Sequence, residues 1–567
     1  MKKTNVLIAS LLAAGLTFNV CAPQLYNVLA ASAPQSMEIV SVEDGTKIGK
    51  TQTSYAGMSG YNANDVAAVI DKVQTYYTNN KYTTGWDWLT ATYHLGNLEA
   101  YKATGNTKYY SQTYDIAEAY AWRVNGGIDT TYLDAVATSL VYCVLHDLAP
   151  MDYKLEGVKE ILDYNCEYGM VDYSWVDEIY MAGLSHSYLS RVTGDSKYSE
   201  IDFGTYGYYR ERFFDTESSL WFRDWQFVSG TGSNWANLDG SEKVLWSRGN
   251  TWVYVSLAQR MEYMDKNDPA YETYKNDFLL MSEGLKKVRR DDGIWNVNLG
   301  DPTHKPGKEM TGTAGFLYGM CLGIELGLLD AEEYIPVVQK AYDTIVSECI
   351  FDNGFVGYCQ PPAGSPSSYT TEAEVKNNTV SYGVGLTMMG LSRFMRLCAD
   401  YEEPDLQTPA EEFDESNARF AVLDEDWYKG VMIASTNATP YSVANNGVEN
   451  IVNGNWKSEE EGASFRGGGL SKGSVTVWVD FAEEVTLDKI AMVLNASFSY
   501  KYTVEIYDGA DWVTVADTTK SQPAKAYQQV WTFDPVPCRQ IRITGYPYYG
   551  NGNDVLWVRE LLVYEAK

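Results

Sequence analysis

Four histidines in 567 residues are too few and too scattered to hold a metal or to relay a proton to a serine. His146 and His186 fall inside helical patterns, where a hydrogen-bonded core position is the plain reading. Eight cysteines occur without a Cys-x-x-Cys pair, so neither a zinc site nor a disulfide framework is indicated. Several lie in apolar runs (VYCVL, MCLGIE, RLCAD), the setting of a buried, inert thiol. A Walker loop is missing, as is a GxGxxG after a strand, and no metal or cofactor is expected. Basic residues are scarce: 44 Lys and Arg stand against 75 Asp and Glu, for a net charge of −31. That balance excludes nucleic acid and anionic membrane surfaces as partners. It leaves a small anionic ligand open, because within a Debye length one local arginine outweighs the distant surface. Beyond the N-terminus no apolar run approaches the roughly 18 residues of a membrane span.

What is present begins with Lys2 and Lys3, an apolar run from Val6 to Val20, and small residues at Ala30, Ala31, Ser32 and Ala33. That is the layout of a signal peptide over 1–33, which places the mature chain in secretion or at the cell surface. A lead segment over 34–59 follows. From 60 to 402 apolar residues recur at helical spacing, broken by Gly, Asn, Asp and Pro turns. The pattern predicts about twelve helices, over 62–79, 86–104, 107–124, 131–148, 154–167, 174–194, 197–213, 246–265, 269–289, 309–328, 331–350 and 379–398. Antiparallel pairs joined by short turns, six of them in a ring, make an all-α (α/α)6 barrel in which every second helix lines the inside. Those alternate segments open on WDWLTATYHLG, TYLDAVATSLV, SWVDEIYMAG, WSRGNTWVYV, TGTAGFLYGM and SYGVGLTMMG. Their aromatics, small residues and isolated charges converge on one mouth of the barrel, where helix N-termini also present unpaired N–H groups. An acidic, Pro-containing linker covers 403–417. Alternating runs over 418–567, such as SVTVWVDF, YTVEIYD and RQIRITGY, then predict an all-β sandwich.

Two acids stand out at the mouth, Asp134 in TYLD and Asp177 in SWVD. A carboxyl against aromatic walls loses hydration, which favours the neutral form that donates a proton, and two such groups push each other's titrations apart. The same positions also suit ordinary helix capping. In WSRGNTW, Arg248 lies between Trp246 and Trp252. Its planar fork fits a carboxylate while indoles stack on sugar faces, which points to an acidic sugar. The alternative is a structural pin, an arginine stacked on tryptophan with its donors spent on the protein.

These stretches resemble family 105 of the glycoside hydrolases, the unsaturated rhamnogalacturonyl hydrolases, which are related to the family 88 unsaturated glucuronyl hydrolases. The marks are WDW…YHLGNLEAYKATGN, WVDEIYMAG, LWFRD, WSRGNTW, EMTGTAGFLYGM and YGVG, over about residues 60–400. The resemblance implies removal of a terminal 4,5-unsaturated uronic acid from lyase-generated oligosaccharides, by protonation at C4 and addition of water at C5. It implies Asp177 as general acid and base and Asp134 as the second carboxylate. Arg248 would lie near the uronate, with Trp175, Trp252, Trp88 and Trp246 walling the sugar subsite. Rhamnogalacturonan of the pectin type is the expected source. Three positions depart from the family pattern: Thr251 replaces a glycine, Cys166 lies where a histidine is common, and Phe222 or Arg223 stands where another histidine occurs. The C-terminal part resembles a discoidin, or coagulation factor 5/8 C-type, domain through IVNGNWKS, VWVDFAEEVTLDKIAMV, CRQIRITGY and VRELLVYE. Such domains often bind sugars through end loops, for which Trp456, Tyr546, Tyr548 and Tyr549 are candidates; the same tyrosines would also serve to pack the rim. Two competing functions stand beside the first, a conventional glycosidase on a saturated sugar and a noncatalytic glycan-binding protein.

Overall fold

Polar caps and apolar spacing divide the first two thirds of the chain into helices of the expected lengths. In the computed structural model the described residues run from 57 to 566, apart from 121, 125–132, 170–174, 229–242, 407–427, 438–446, 454–464, 469–473, 495–500, 521–527 and 547–554. The leader expected over 1–33, most of the lead segment and linker, and Trp456, Tyr548 and Tyr549 lie outside them. The helices are α1 (Ala63–Asn80), α2 (Trp88–Thr104), α3 (Thr107–Ala119), α4 (Leu133–Val136), α5 (Ser139–Leu148), α6 (Tyr153–Tyr168) and α7 (Leu184–Thr193). They continue with α8 (Ser196–Phe213), α9 (Ser247–Tyr263), α10 (Tyr271–Val288), α11 (Met310–Glu325), α12 (Ala331–Thr344), α13 (Glu372–Val375) and α14 (Ser381–Arg396). Asn62 caps α1 by accepting from two first-turn amides, and Asp87 forms a capping box with Thr90 on α2, so Asp87 is a helix-start residue.

Helices α2, α5, α7, α9, α11 and α14 pack each against the next, and α14 closes back on α2. Outside this ring α3, α6, α8, α10, α12 and α1 pack on them in the same order, so among the described residues six helical hairpins form an (α/α)6 barrel. The two layers differ as position demands. Outer α1 buries one stripe (Val66, Ile70, Val73, Tyr77), whereas inner α9 and α11 bury nearly every residue because they have neighbours on all sides. All inner helices run the same way, so their N-termini share one mouth. At the opposite, C-terminal end Arg393 bonds Glu99 (2.6 Å), Glu262 (2.7 Å) and Glu325 (3.1 Å), tying α14 to α2, α9 and α11.

Three predicted helices are interrupted, and the one over 331–350 passes from α12 into a π-helical turn, Ile345–Cys349. The one over 131–148 breaks into α4 and α5 at Ala137–Thr138, where the hydroxyls of Thr138 and Ser139 bond the carbonyls of Ala135 and Val136 and compete with the helical ladder. The one over 174–194 begins as a π-helical turn, Ile179–Gly183, before α7. No helix of the described residues is long and apolar enough to cross a membrane. The seven described cysteines are free, and Cys143, Cys321 and Cys398 are buried.

The strands that follow are β3 (Met432–Thr436), β4 (Phe465–Gly468), β5 (Val475–Leu494), β6 (Lys501–Tyr507), β7 (Trp512–Asp517), β8 (Gln528–Tyr546) and β9 (Val555–Glu565); β1 (Phe214–Asp215) and β2 (Leu220–Trp221) form a small hairpin in the barrel. The C-terminal strands hydrogen-bond in the order β4-β9-β5-β8-β6-β7, with β3 on β5, all antiparallel. Register shifts between Asp480 and Val485 divide the long β5, whose first part pairs with β3 and second part with β9. Val477, Val479, Ile490, Met492, Tyr502 and Ile543 fill a core separate from that of the barrel.

Candidate active site

The start of α9 is stitched into the mouth residue by residue. Trp246 donates its ring N–H to Gln360 (2.8 Å), and Ser247 bonds Glu309 (2.9 Å), the buried cap of α11. Asn250 accepts from the backbone N–H of Trp221 (2.8 Å) and donates to its carbonyl (2.9 Å), clasping β2 as another strand would. Thr251 donates to the Gly312 carbonyl (3.2 Å), and its methyl fills the space that a Cβ at Gly315 would need. The departure from glycine at 251 is therefore matched by the absence of a side chain at 315. Trp252 is fully buried in an aromatic cluster with Tyr180 (centroids 4.9 Å), Tyr382 (5.9 Å) and Trp88 (6.0 Å).

Arg248 is 3% exposed, and its terminal nitrogens donate to the Pro361 carbonyl (2.6 Å), the Ala363 carbonyl (2.6 Å) and the Tyr382 hydroxyl (2.9 Å). Its guanidinium lies 4.3 Å from the Trp246 ring centroid. Of the two readings of Arg248, this geometry is that of the pin: the fork holds the loop 360–363 to the helix start.

The cation that faces Asp177 is Arg223, two residues after β2. Its Nε lies 3.4 Å from Asp177 Oδ2, and neither of these buried atoms has a hydrogen-bond partner. The guanidinium sits between Trp175 (4.8 Å) and Trp246 (5.6 Å). Its Nη1 donates to Asp224 Oδ2 (2.9 Å) and to the Gly364 carbonyl (3.3 Å). Asp224 is buried and accepts the Gln226 amide (2.7 Å). Burial raises its carboxyl above the ordinary aspartate value; Arg223 pulls against that rise and Asp177 adds to it.

Asp177 is set by the turn that follows it. The Val176 amide bonds the Arg223 carbonyl (2.9 Å), which locks the two site segments together. The Ile179 carbonyl, at the start of the π turn, accepts from Ser256 (2.8 Å) and from the buried Arg260, itself paired with Asp202 (2.7 Å). A π turn is a recurrent feature of functional sites because it re-aims side chains within a helix. Asp134 is on α4, which packs against α2 and against this π turn. The structure thus gathers Asp177, Trp175 and Trp246 round Arg223, groups Trp88 and Trp252 with Tyr180 and Tyr382, and places Asp134 on the element beside the turn. Sequence reasoning did not assign Arg223 and Asp224 to the site. Their signal was the LWFRD motif, in which an arginine and an aspartate follow a strand whose last residue is clasped from WSRGN.

Residues 63–398 match the family model described as Glycosyl Hydrolase Family 88. The chain belongs to glycosyl hydrolase family 88. It is an enzyme of the glycoside hydrolase class. An unsaturated 3S-rhamnoglycuronyl hydrolase of Alteromonas sp. (strain LOR) is 25% identical over 308 residues, 53% of this chain and 70% of that protein. Another of the same description from Formosa agariphila is 26% identical over 330 residues, 55% of this chain and 85% of that protein. Among solved structures, a glycosyl hydrolase family 88 protein from Bacteroides vulgatus superposes with a TM-score of 0.55 at 25% identity, covering 59% of this chain and all of that one. A chain described as a polysaccharide lyase gives a TM-score of 0.54 at 26% identity, covering 59% of this chain and 97% of that one. The sequence resemblance pointed to family 105 with family 88 as its relation; the matching model is that of family 88.

Proposed function

We propose that this hydrolase removes a terminal 4,5-unsaturated uronic acid from oligosaccharides that polysaccharide lyases release. The observation that carries the reading is Asp177, buried at the barrel mouth with one oxygen that accepts no hydrogen bond beside Arg223, whose guanidinium lies against the Trp175 ring. A carboxyl so placed delivers a proton to C4 of the vinyl ether, and water adds at C5; the hydrated sugar then opens and releases the rest of the chain. Asp134 serves as the second carboxylate. Trp175, Trp246, Trp88 and Trp252 shape the sugar subsite, and Arg248 shapes it by holding loop 360–363 and the Trp246 face. The names of the curated relatives support a uronate joined to a rhamnose unit; rhamnogalacturonan of the pectin type is the proposed source. The leader over 1–33 supports work outside the cytoplasm, and the C-terminal strands are read as a discoidin-like, glycan-binding domain. Absorbance of the double bond tests the reading. Lyase products of rhamnogalacturonan, and of glycans with sulfated rhamnose, are incubated with wild type and with Asp177→Asn. Loss of absorbance with wild type alone is the expected result. A gain of absorbance on intact polysaccharide would instead reveal a lyase, and no change with any substrate would overturn the proposal.

A further inference from the structure

Arg223 lies between two buried carboxylates and treats them unequally. It gives Asp224 a direct bond of 2.9 Å, while its Nε and Asp177 Oδ2 face each other at 3.4 Å, both without a hydrogen-bond partner. A guanidinium N–H and a carboxylate oxygen that face each other without a hydrogen bond are costly unless something else satisfies them during turnover. The rings of Trp175 (4.8 Å) and Trp246 (5.6 Å) flank the guanidinium, and Asp224 with the Gly364 carbonyl holds one end of its fork. We infer that Arg223 is a specificity-determining residue that meets the substrate's carboxylate, and that Asp224 is a positioning residue which, by drawing the guanidinium toward itself, keeps Asp177 in a longer ion-pair contact of 3.4 Å without a direct hydrogen bond. This rests on Asp177 being the proton donor proposed above.

The consequence is electrostatic. A proton donor has to be neutral, and a guanidinium paired squarely with it favours the ionised form. Asp224 takes up part of that positive charge through its direct bond to Arg223. The other charged groups around the trio are Arg248, which shares the Trp246 ring, Glu178, bonded by the Tyr209 hydroxyl, Asp134 on α4, and the Arg260–Asp202 pair beneath the π turn. None of these is altered by a change at Asp224 alone.

The test is the pH profile of double-bond loss for wild type, Asp177→Asn and Asp224→Asn, with Asp224→Asn checked for native circular dichroism. In Asp224→Asn the limb where kcat/KM falls with rising pH should move down by about one pH unit, which is tenfold in rate at a fixed pH on that limb. KM should change by less than about threefold, because Arg223 remains. An unshifted limb in Asp224→Asn, with Asp177→Asn inactive, overturns the inference and leaves the proposed function standing; activity in Asp177→Asn overturns both. If Asp224→Asn does not fold, Arg223→Lys decides the matter. A point-charge ammonium does not span Asp224 and a substrate carboxylate as the fork does, so KM should rise about tenfold or more with substrate charge unchanged. Wild-type KM in Arg223→Lys would overturn the role of Arg223.

Discussion

Single side chains at the mouth do separate jobs that look alike in the sequence. Arg248 and Arg223 both lie against Trp246, yet one is spent on carbonyls and the other faces an acid. Replacing Arg248 by Ala orphans the Pro361 and Ala363 carbonyls and should cost about 2–3 kcal/mol, read as a lower denaturant midpoint at unchanged slope, with activity falling as loop 360–363 loosens. Asp177→Asn keeps the volume and should leave stability within about 1 kcal/mol of wild type. Its hydration rate should fall at least about 100-fold, the usual share of a general acid. A drop of stability equal to that of Arg248→Ala would show that Asp177 is chiefly a structural cap. The placement of Asp177 among aromatics was legible because WVDEIYM puts a carboxylate beside them at a helix start. Arg223 and Asp224 were not, because their part depends on which acid the fork reaches first, a matter of ångströms across segments about fifty residues apart in the chain.

The element that aims Asp177 is the π turn Ile179–Gly183. It is braced by Arg260 and Asp202, and a Cβ at Gly183 would overlap Arg260 Nη2 and Asp202 Oδ1. Gly183→Ala should therefore cost about 1–3 kcal/mol by overpacking and lower kcat more than it raises KM, as steady-state kinetics beside thermal unfolding would show. Unchanged kcat would mean that the turn's brace has no bearing on Asp177. Helix positions agree with the apolar spacing because that spacing answers to burial on one face. The break between α4 and α5 and the π turn do not follow from spacing. They arise where hydroxyls of Thr138 and Ser139, or a buried arginine from α9, compete for carbonyls that a regular helix would use.

Across the whole molecule, acid should unfold the barrel from its C-terminal end. Burial acts to raise the Glu99 carboxyl, but Arg393 and Lys102 outweigh it and hold the group at about 2, below its ordinary 4.5. A depressed carboxylate contributes stability that is complete above pH 4.5 and is lost as pH falls toward about 2. Burial lowers His94 from 6.5 to about 3, so the unfolded chain takes up that proton first and stability is lost across that range as well. Urea midpoints measured from pH 7 down to 3 should decline in wild type, and Glu99→Gln should start lower and decline less below 4.5; parallel curves would remove Glu99 from the explanation. The barrel and the C-terminal strands have separate cores. A chain ending within 403–417 should therefore keep its activity on soluble oligosaccharide and lose retention on insoluble glycan, as activity and pull-down assays would show. Loss of both would tie catalysis to the C-terminal part.

By itself the sequence determined the six-hairpin barrel and the strands that follow it, because each follows from periodicity, caps and the composition of alternate helix starts, all of which are local. Only the tertiary structure decided which arginine is a pin and which faces Asp177, why Thr251 needs Gly315 opposite, and that Asp224 shares the cation. Those outcomes depend on which donors and acceptors meet once distant segments pack, and hydrogen bonds and ion pairs are settled over distances far shorter than any sequence pattern specifies.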